Sequence, residues 1–300
     1  MIVDAHLHVW DLGRASYPWL GPAHGPINRD IDISEVRPAL DRLGVARVVL
    51  VQSADNLADT VAMLDVARLN PDLVAGVVGW VPLDAPRAIP DMLERHRRSG
   101  RLVGVRSLIH DRPDPEWIVR PAPDEGLGYL EQLDVPFDFV TSGPDPLALI
   151  PGIVERHPAL RLVIDHLGKP PVGGTREERA RWRRLISRAA ESPTVHAKVS
   201  GLYPTSGDPA AWSAVDVRPF VEDALEIFGA ARLMFGGDWP ISILAGGYER
   251  VSGALLDLIG ELPEGERRNV LAGTATDVYR LSDGSGTAAR DTGDAAEGST

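Results

Sequence analysis

Short apolar, β-branched runs recur along the chain at intervals of about 30 residues, the rhythm of βα units. Ile2-Val3 opens the first, and it runs into Asp4-Ala5-His6-Leu7-His8. The others are Ala46–Gln52, Val74–Val81, Leu102–Arg106, Pro136–Thr141, Leu160–Asp165, Thr194–Ser200 and Arg232–Gly237. Segments of helical character lie between them. Ser34 is placed to N-cap a helix reaching Leu43. Asp55–Leu69 sets Leu57, Val61 and Leu64 at helical spacing. Pro86–Arg98 is stopped by Gly100, and Asp124–Leu133, Pro146–Arg156, Arg176–Ala190 and Val217–Phe228 follow. Gly247–Ile259 and Glu264–Tyr279 are extra C-terminal helices.

Eight strands alternating with helices predict a (β/α)₈ barrel, TIM-type, as a single domain over residues 1–281. The rival is a doubly wound open sheet. It would usually place a glycine-rich phosphate loop after its first strand, where this chain has His-x-His. Two long irregular stretches, 10–32 and 107–123, interrupt the rhythm, and loops of that length are often functional. Residues 282–300 are Gly, Ser, Thr, Ala and acid, so a disordered tail is expected there.

Composition narrows the function. The chain has 300 residues, 44% hydrophobic and 25% charged, as in ordinary globular proteins. A net charge of −12 argues against nucleic acid and anionic membrane as partners, leaving a small-molecule substrate. The absence of cysteine excludes disulfides and thiolate metal sites. No apolar run would span a bilayer and no signal peptide is readable, so a cytoplasmic protein is expected. A homodimer is an expectation only.

In such a barrel the site lies at the C-terminal ends of the strands. Those ends carry His6 and His8, Gln52, Trp80, Arg106, Thr141 or Ser142, His166, Ser200 and Asp238. His6 and His8 share a face, since strand side chains alternate. Such a pair can hold a metal, polarise a carbonyl or move a proton. Arg106 ends an otherwise apolar strand, where an unpaired charge is costly. His24 and His110 lie in the long loops as substrate contacts or surface residues. Trp10, Trp19, Trp80 and Trp239 read either as core or as an aromatic wall for a ring substrate.

Six stretches taken together carry a resemblance. They are Asp4–Trp10, Tyr17–Leu20, Gly104–Arg106, Asp165–Pro170, Lys198–Leu202 and Gly237–Pro240. The chain resembles the amidohydrolase superfamily from residue 1 to about 281, and within it the fuconolactonase-like branch of sugar and dicarboxylate lactonases. The resemblance implies a distorted barrel hydrolase that opens a small polar lactone. Asp238 would be the general base, with a near-neutral apparent pKa in a crowded site. His6, His8 and His166 would polarise the carbonyl, and Arg106, aided by Lys169 or His110, would orient the substrate's oxygens. Trp10, Trp19, His24, Gln52, Trp80, Ser142 and Trp239 complete the expected substrate contacts. Two-metal relatives carry a carboxylated Lys or Glu ending strand four and a His ending strand five, where this chain has Arg106-Ser107 and Thr141-Ser142. Catalysis requiring no cofactor is therefore preferred. A single Zn²⁺ or Mn²⁺ on His6, His8 and Asp238, with His166 nearby, is the alternative. The enzymatic rival is a metal-dependent non-oxidative decarboxylase of an aromatic or muconate-like acid. The non-enzymatic rival is a barrel that binds a small acid.

Overall fold

The computed structural model describes residues 1–98, 101–204 and 208–282. Eight parallel strands follow one another in sequence order. They are β1 (Ile2–Leu7), β2 (Val45–Val51), β3 (Val74–Gly79), β4 (Leu102–Ser107), β5 (Phe137–Phe139), β6 (Leu162–Ile164), β7 (Val195–Val199) and β8 (Leu233–Phe235). Between them run α1 (Arg37–Leu43), α2 (Leu57–Leu69), α3 (Ile89–Arg98), α4 (Pro121–Gln132), α5 (Ile150–Arg156), α6 (Arg176–Ala189) and α7 (Ala214–Phe228). The chain ends in α8 (Tyr248–Gly260), α9 (Glu264–Arg268) and α10 (Thr274–Tyr279), the last two joined by a π-helical turn, Asn269–Gly273. The (β/α)₈ barrel expected from the rhythm is thus present, and the open-sheet rival is not.

The seam closes at the functional end. Leu7 bridges Trp239, His8 N–H donates to the Trp239 carbonyl at 2.7 Å, and Asp238 N–H donates to the His6 carbonyl at 2.8 Å. Asp4 staples the same seam from outside. Its carboxylate accepts from His6 N (2.9 Å), Gly237 N (2.9 Å) and the Tyr248 hydroxyl (2.8 Å). Gly237 has to be glycine, because a Cβ there would lie 2.2 Å from the Tyr248 ring and 2.7 Å from Asp4 Oδ2. β5, β6 and β8 are shorter than their apolar runs. In β8 the ladder stops at Phe235, and the glycines beyond it turn the chain into the seam.

Apolar side chains form two sets. The larger lies between strands and helices and includes Leu50, Val105, Phe137, Leu162, Ala197 and Phe235. The smaller fills the lower barrel with Val3, Ala5, Val49, Val51, Val163 and Met234, closed from below by Ala275, Val278 and Tyr279. A register shift between Asp4 and Leu7 lets Asp4 meet the outer helix α8 while His6 turns inward.

Two local expectations are corrected. Asp32, not Ser34, caps the first turn, its carboxylate accepting from Ser34 N at 2.8 Å. α1 then starts at Arg37, where Pro38 suits a first turn. The last helix is not continuous but passes through the π turn. The Gly100 stop and the tail beyond Ser282 fall outside the described residues. Among the described residues no helix is long and apolar enough to cross a membrane.

Candidate active site

His6, His8, His166 and Asp238 meet at the C-terminal mouth of the barrel, all buried. Asp238 Oδ1 stands 3.7 Å from His6 Nε2, 3.6 Å from His8 Nε2 and 3.8 Å from His166 Nε2. Its other oxygen accepts the Tyr203 hydroxyl at 2.6 Å. Two of the four side chains sit on left-handed backbone. Asp238 has φ 52°, and His166 (φ 53°) lies in a left-handed turn with Leu167, Gly168 and Lys169. Strain of that kind persists only where surrounding contacts over-determine it. Here they are the Trp182 indole, donating to the Leu167 carbonyl at 2.7 Å, and the Ser200 hydroxyl, 2.9 Å from His166 Nδ1. Gly201 (φ 58°) lets the chain pass, since a Cβ there would be 2.6 Å from His166 Nδ1.

A buried charge network supports this layer from beneath. Lys198 from β7 reaches Asp138 Oδ2 at 2.5 Å, Asp165 Oδ1 at 3.0 Å and His6 Nδ1 at 3.1 Å. Asp165 also meets His6 Nδ1 (3.2 Å) and Arg106 Nη1 (2.9 Å). Tyr279 donates to Asp138 at 2.8 Å. Burial by itself would raise the Asp165 carboxyl, but Lys198, His6 and Arg106 outweigh it and hold Asp165 well below the usual range. Asp138 goes the other way, pushed up to about 6 by burial and the nearby Asp165.

The same balance sets the protonation of the top layer. Burial lowers His6 well below 6.5, and it lowers His166 to about 3 with help from Lys169. Both rings are neutral near pH 7. Asp238 does not have the near-neutral pKa expected of a crowded base. Burial raises it, but the surrounding imidazoles and Lys169 draw it well below the usual carboxylate range. It is therefore ionised across the working pH range.

The donor set fits one divalent cation. His8 Nδ1 lies 2.7 Å from the Val51 carbonyl, so the neutral ring is protonated there and its Nε2 presents a lone pair. That lone pair faces His6 Nε2 at 3.1 Å and the ionised Asp238. Convergent acceptors of this kind are reconciled by a proton or a cation. Ligand atoms of His6, His166 and Asp238 lie within 4.8 Å of one another, and backbone, hydroxyl and carboxylate partners orient the rings from behind.

Above this centre opens a cleft of about 550 Å³. Of the residues singled out from the sequence, His8, His166, Arg106, Asp238, Trp19, His24, His110, Ser142 and Lys169 line it. Four expected substrate contacts do not. Trp10 is core, its indole donating to the Arg29 carbonyl at 2.7 Å and stacked edge-on against Trp19 at 5.6 Å. Gln52 lies beneath the cleft and donates to the Arg106 carbonyl at 3.1 Å. Trp239 is buried in the seam, where its backbone is what the barrel uses. Trp80 stands off the cleft with its indole nitrogen buried and its backbone N–H on Thr60 Oγ1 at 2.8 Å.

Arg106 is largely committed to the scaffold, with Nη1 on Asp165 and Nη2 on the Gln52 carbonyl. Lys169 differs. No carboxylate among the described residues pairs with its ammonium, which lies 5.2 Å over the Tyr203 ring at the cleft wall. Thr141 brings a buried hydroxyl without a hydrogen-bond partner to the same cleft. Sequence reading missed Tyr203, Lys198 and Asp138. A lysine amid the apolar residues of β7 and an aspartate between Phe137 and Phe139 were the available signals.

The amidohydrolase family profile matches residues 3–281. An L-fucono-1,5-lactonase from Burkholderia ambifaria is 35% identical over 292 residues, 95% of this chain and 97% of its own. A 2-pyrone-4,6-dicarboxylate hydrolase from Comamonas testosteroni is 28% identical, covering 79% of this chain and 76% of its own. The crystal structure of an amidohydrolase from Burkholderia multivorans with bound zinc superposes with a TM-score of 0.86 at 29% identity, over 94% of this chain and all of that one.

Proposed function

The chain belongs to the amidohydrolase family, and on that premise we propose that it hydrolyses the ester bond of a small polar lactone, of a sugar acid or a dicarboxylic acid. The names of the Burkholderia and Comamonas relatives support this reaction class. The observation that carries it is Asp238, an ionised carboxylate held by Tyr203 with its second oxygen aimed at three imidazoles.

The lactone enters the cleft with its ring oxygens toward Lys169 and Thr141 and its apolar face against Trp19. Asp238 Oδ1 takes a proton from water as that water attacks the carbonyl. The Tyr203 bond to Oδ2 restrains the carboxylate, leaving Oδ1 free for the reacting water. The developing oxyanion is stabilised by Lys169 and by the positive edge that Arg106 presents beside His6, at 3.5 Å. Collapse opens the ring, and the proton held on Asp238 passes to the departing ring oxygen, giving a hydroxy acid. A divalent cation held by His6, His166 and Asp238, beside His8, would add Lewis-acid polarisation of the carbonyl and a more acidic water.

The test is Asp238→Asn against a panel of aldono- and dicarboxylate lactones. A loss of about 10²–10⁴-fold in kcat is expected of a general base. Activity within tenfold of the parent protein would sink the assignment. Decarboxylation of an aromatic acid, with no lactone turned over, would hand the cleft to the rival reading.

A further inference from the structure

A second cleft of about 530 Å³ opens at the opposite, N-terminal end of the barrel. Arg97 enters it from the end of α3, Arg101 from just before β4, Arg161 from just before β6 and Arg280 from just after α10. One carboxylate, Asp134, faces the four guanidinium groups. Arg161 takes one of its oxygens at 2.7 Å and Arg280 takes the other. No carboxylate among the described residues pairs with Arg97 or Arg101. Three positive charges in excess thus collect in one concavity of a chain whose net charge is −12.

Closing the barrel explains only part of this arrangement. Arg97 spends one nitrogen on the Leu133 carbonyl, and Arg101 spends one on the carbonyls of Pro71 and Val74. These bonds fix the guanidinium planes and leave their other nitrogens as donors. Arg161 is lowered from its usual pKa, by burial first and by the neighbouring Arg280 as well, although Asp134 opposes this. Like charges gathered in one concavity repel one another unless something neutralises them. The cleft walls are otherwise Leu102, Leu133, Val135 and the Tyr279 ring.

We propose that this cleft is a binding site for a small multivalent oxyanion, a phosphate ester or a di- or tricarboxylate, separate from the lactone cleft. Planar guanidinium forks suit bidentate contact with either group. Tyr279 forms its floor, and its hydroxyl holds Asp138 on the side facing the catalytic layer.

The experiment is calorimetric titration of the full chain with inorganic pyrophosphate and, separately, with citrate, at low ionic strength. One site is expected with a dissociation constant of about 0.01–1 mM, weakening as salt is added. The tighter of the two probes assigns the site to phosphoryl or carboxylate ligands. The double variant Arg97→Gln/Arg280→Gln, whose side chains lie on the surface, should weaken binding at least about tenfold with the melting temperature held. Lys169→Met, in the other cleft, should leave it unchanged. Failure of both probes to bind would overturn the proposal, as would binding that follows Lys169 rather than the arginines. Binding that appears only when Asp283, Asp291, Asp294 and Glu297 are replaced by their amides would overturn it too, because the chain's own carboxylates would then be the occupant.

Discussion

The Tyr203 hydroxyl donates to Asp238 Oδ2 at 2.6 Å and leaves Oδ1 facing His6, His8 and His166. Burial and the adjacent Asp238 hold the phenol well above its ordinary pKa of 10, so it remains a donor at any working pH. Tyr203→Phe should lower kcat about tenfold with little change in KM. The fold should lose no more than the roughly 1–3 kcal/mol of one buried hydrogen bond. Steady-state kinetics beside a urea melt separates the two effects. An unchanged kcat would mean that Asp238 needs no such restraint.

Lys169 is the cation left over in the lactone cleft, since Arg106 is tied to Asp165 and Gln52. Lys169→Met should raise KM or lower kcat/KM by about 10–100-fold, the range of one lost charge-assisted contact. Arg106→Lys should instead destabilise the protein, because a single ammonium cannot reach both of its scaffold partners. Lys169→Met should therefore show the higher KM of the two variants and Arg106→Lys the lower melting temperature.

Lys198 sits at the bottom of the catalytic layer between Asp138 and Asp165, with no exposure of any of the three. Lys198→Met leaves Asp138 with only the Tyr279 hydroxyl, while Asp165 keeps Arg106, and should cost about 3–5 kcal/mol in a urea melt. Adding Asp138→Asn should restore part of that loss, because the uncompensated charge is removed. A double variant no more stable than the single one would show that the lysine acts through packing alone.

His196 lies below Lys198 on β7, its Nδ1 3.1 Å from the Thr194 carbonyl. Burial first, then Arg232 and Arg161, lowers it to about 4. The unfolded chain takes up this proton near pH 6.5, while the folded chain resists until about 4. Stability should therefore fall as the pH drops through that window and be independent of His196 above it. The contribution is on the order of 3 kcal/mol. Asp4, pushed up to about 6 mainly by burial, works in the opposite sense between about 4 and 6. The clean measurement is the difference between parent and His196→Gln at pH 7 and pH 4.5, which should show the variant losing less on acidification.

Metal removal addresses the electrophile. Dialysis against a chelator should leave measurable lactone hydrolysis, since Lys169 and Arg106 supply positive charge and an ester needs less activation than an amide. Zinc added back should bind at one equivalent and be lost in His166→Ala, which removes one of the ligand atoms grouped with Asp238. A fall below about 1% of activity on chelation, restored by zinc, would place the cation at the centre of the reaction.

Much of this architecture was legible in the chain. Polar residues ending apolar runs, such as His6, His166 and Asp238, stand out because only a site or a seam tolerates them there. What eluded sequence reading depended on facing. Lys198 and Asp138 alternate with apolar neighbours, and nothing local says that their side is the barrel interior rather than the helix layer. Trp10 and Trp239 look like ring contacts until the backbone shows one indole tied to Arg29 and the other residue closing the seam. Tyr203 lies in a loop, where no periodicity marks it.

The Asp4 staple has a consequence for synthesis. Its partner Gly237 is made 233 residues later, and Tyr248 later still. At about 5–20 residues per second, the first strand leaves the ribosome roughly 10–50 seconds before the last can close upon it. During that time His6 and His8 have no Asp238 to face, and the Asp4 carboxylate has neither of those distant partners. The emerging chain carries His6 and His8 on a strand with one edge unpaired until the last strand is made.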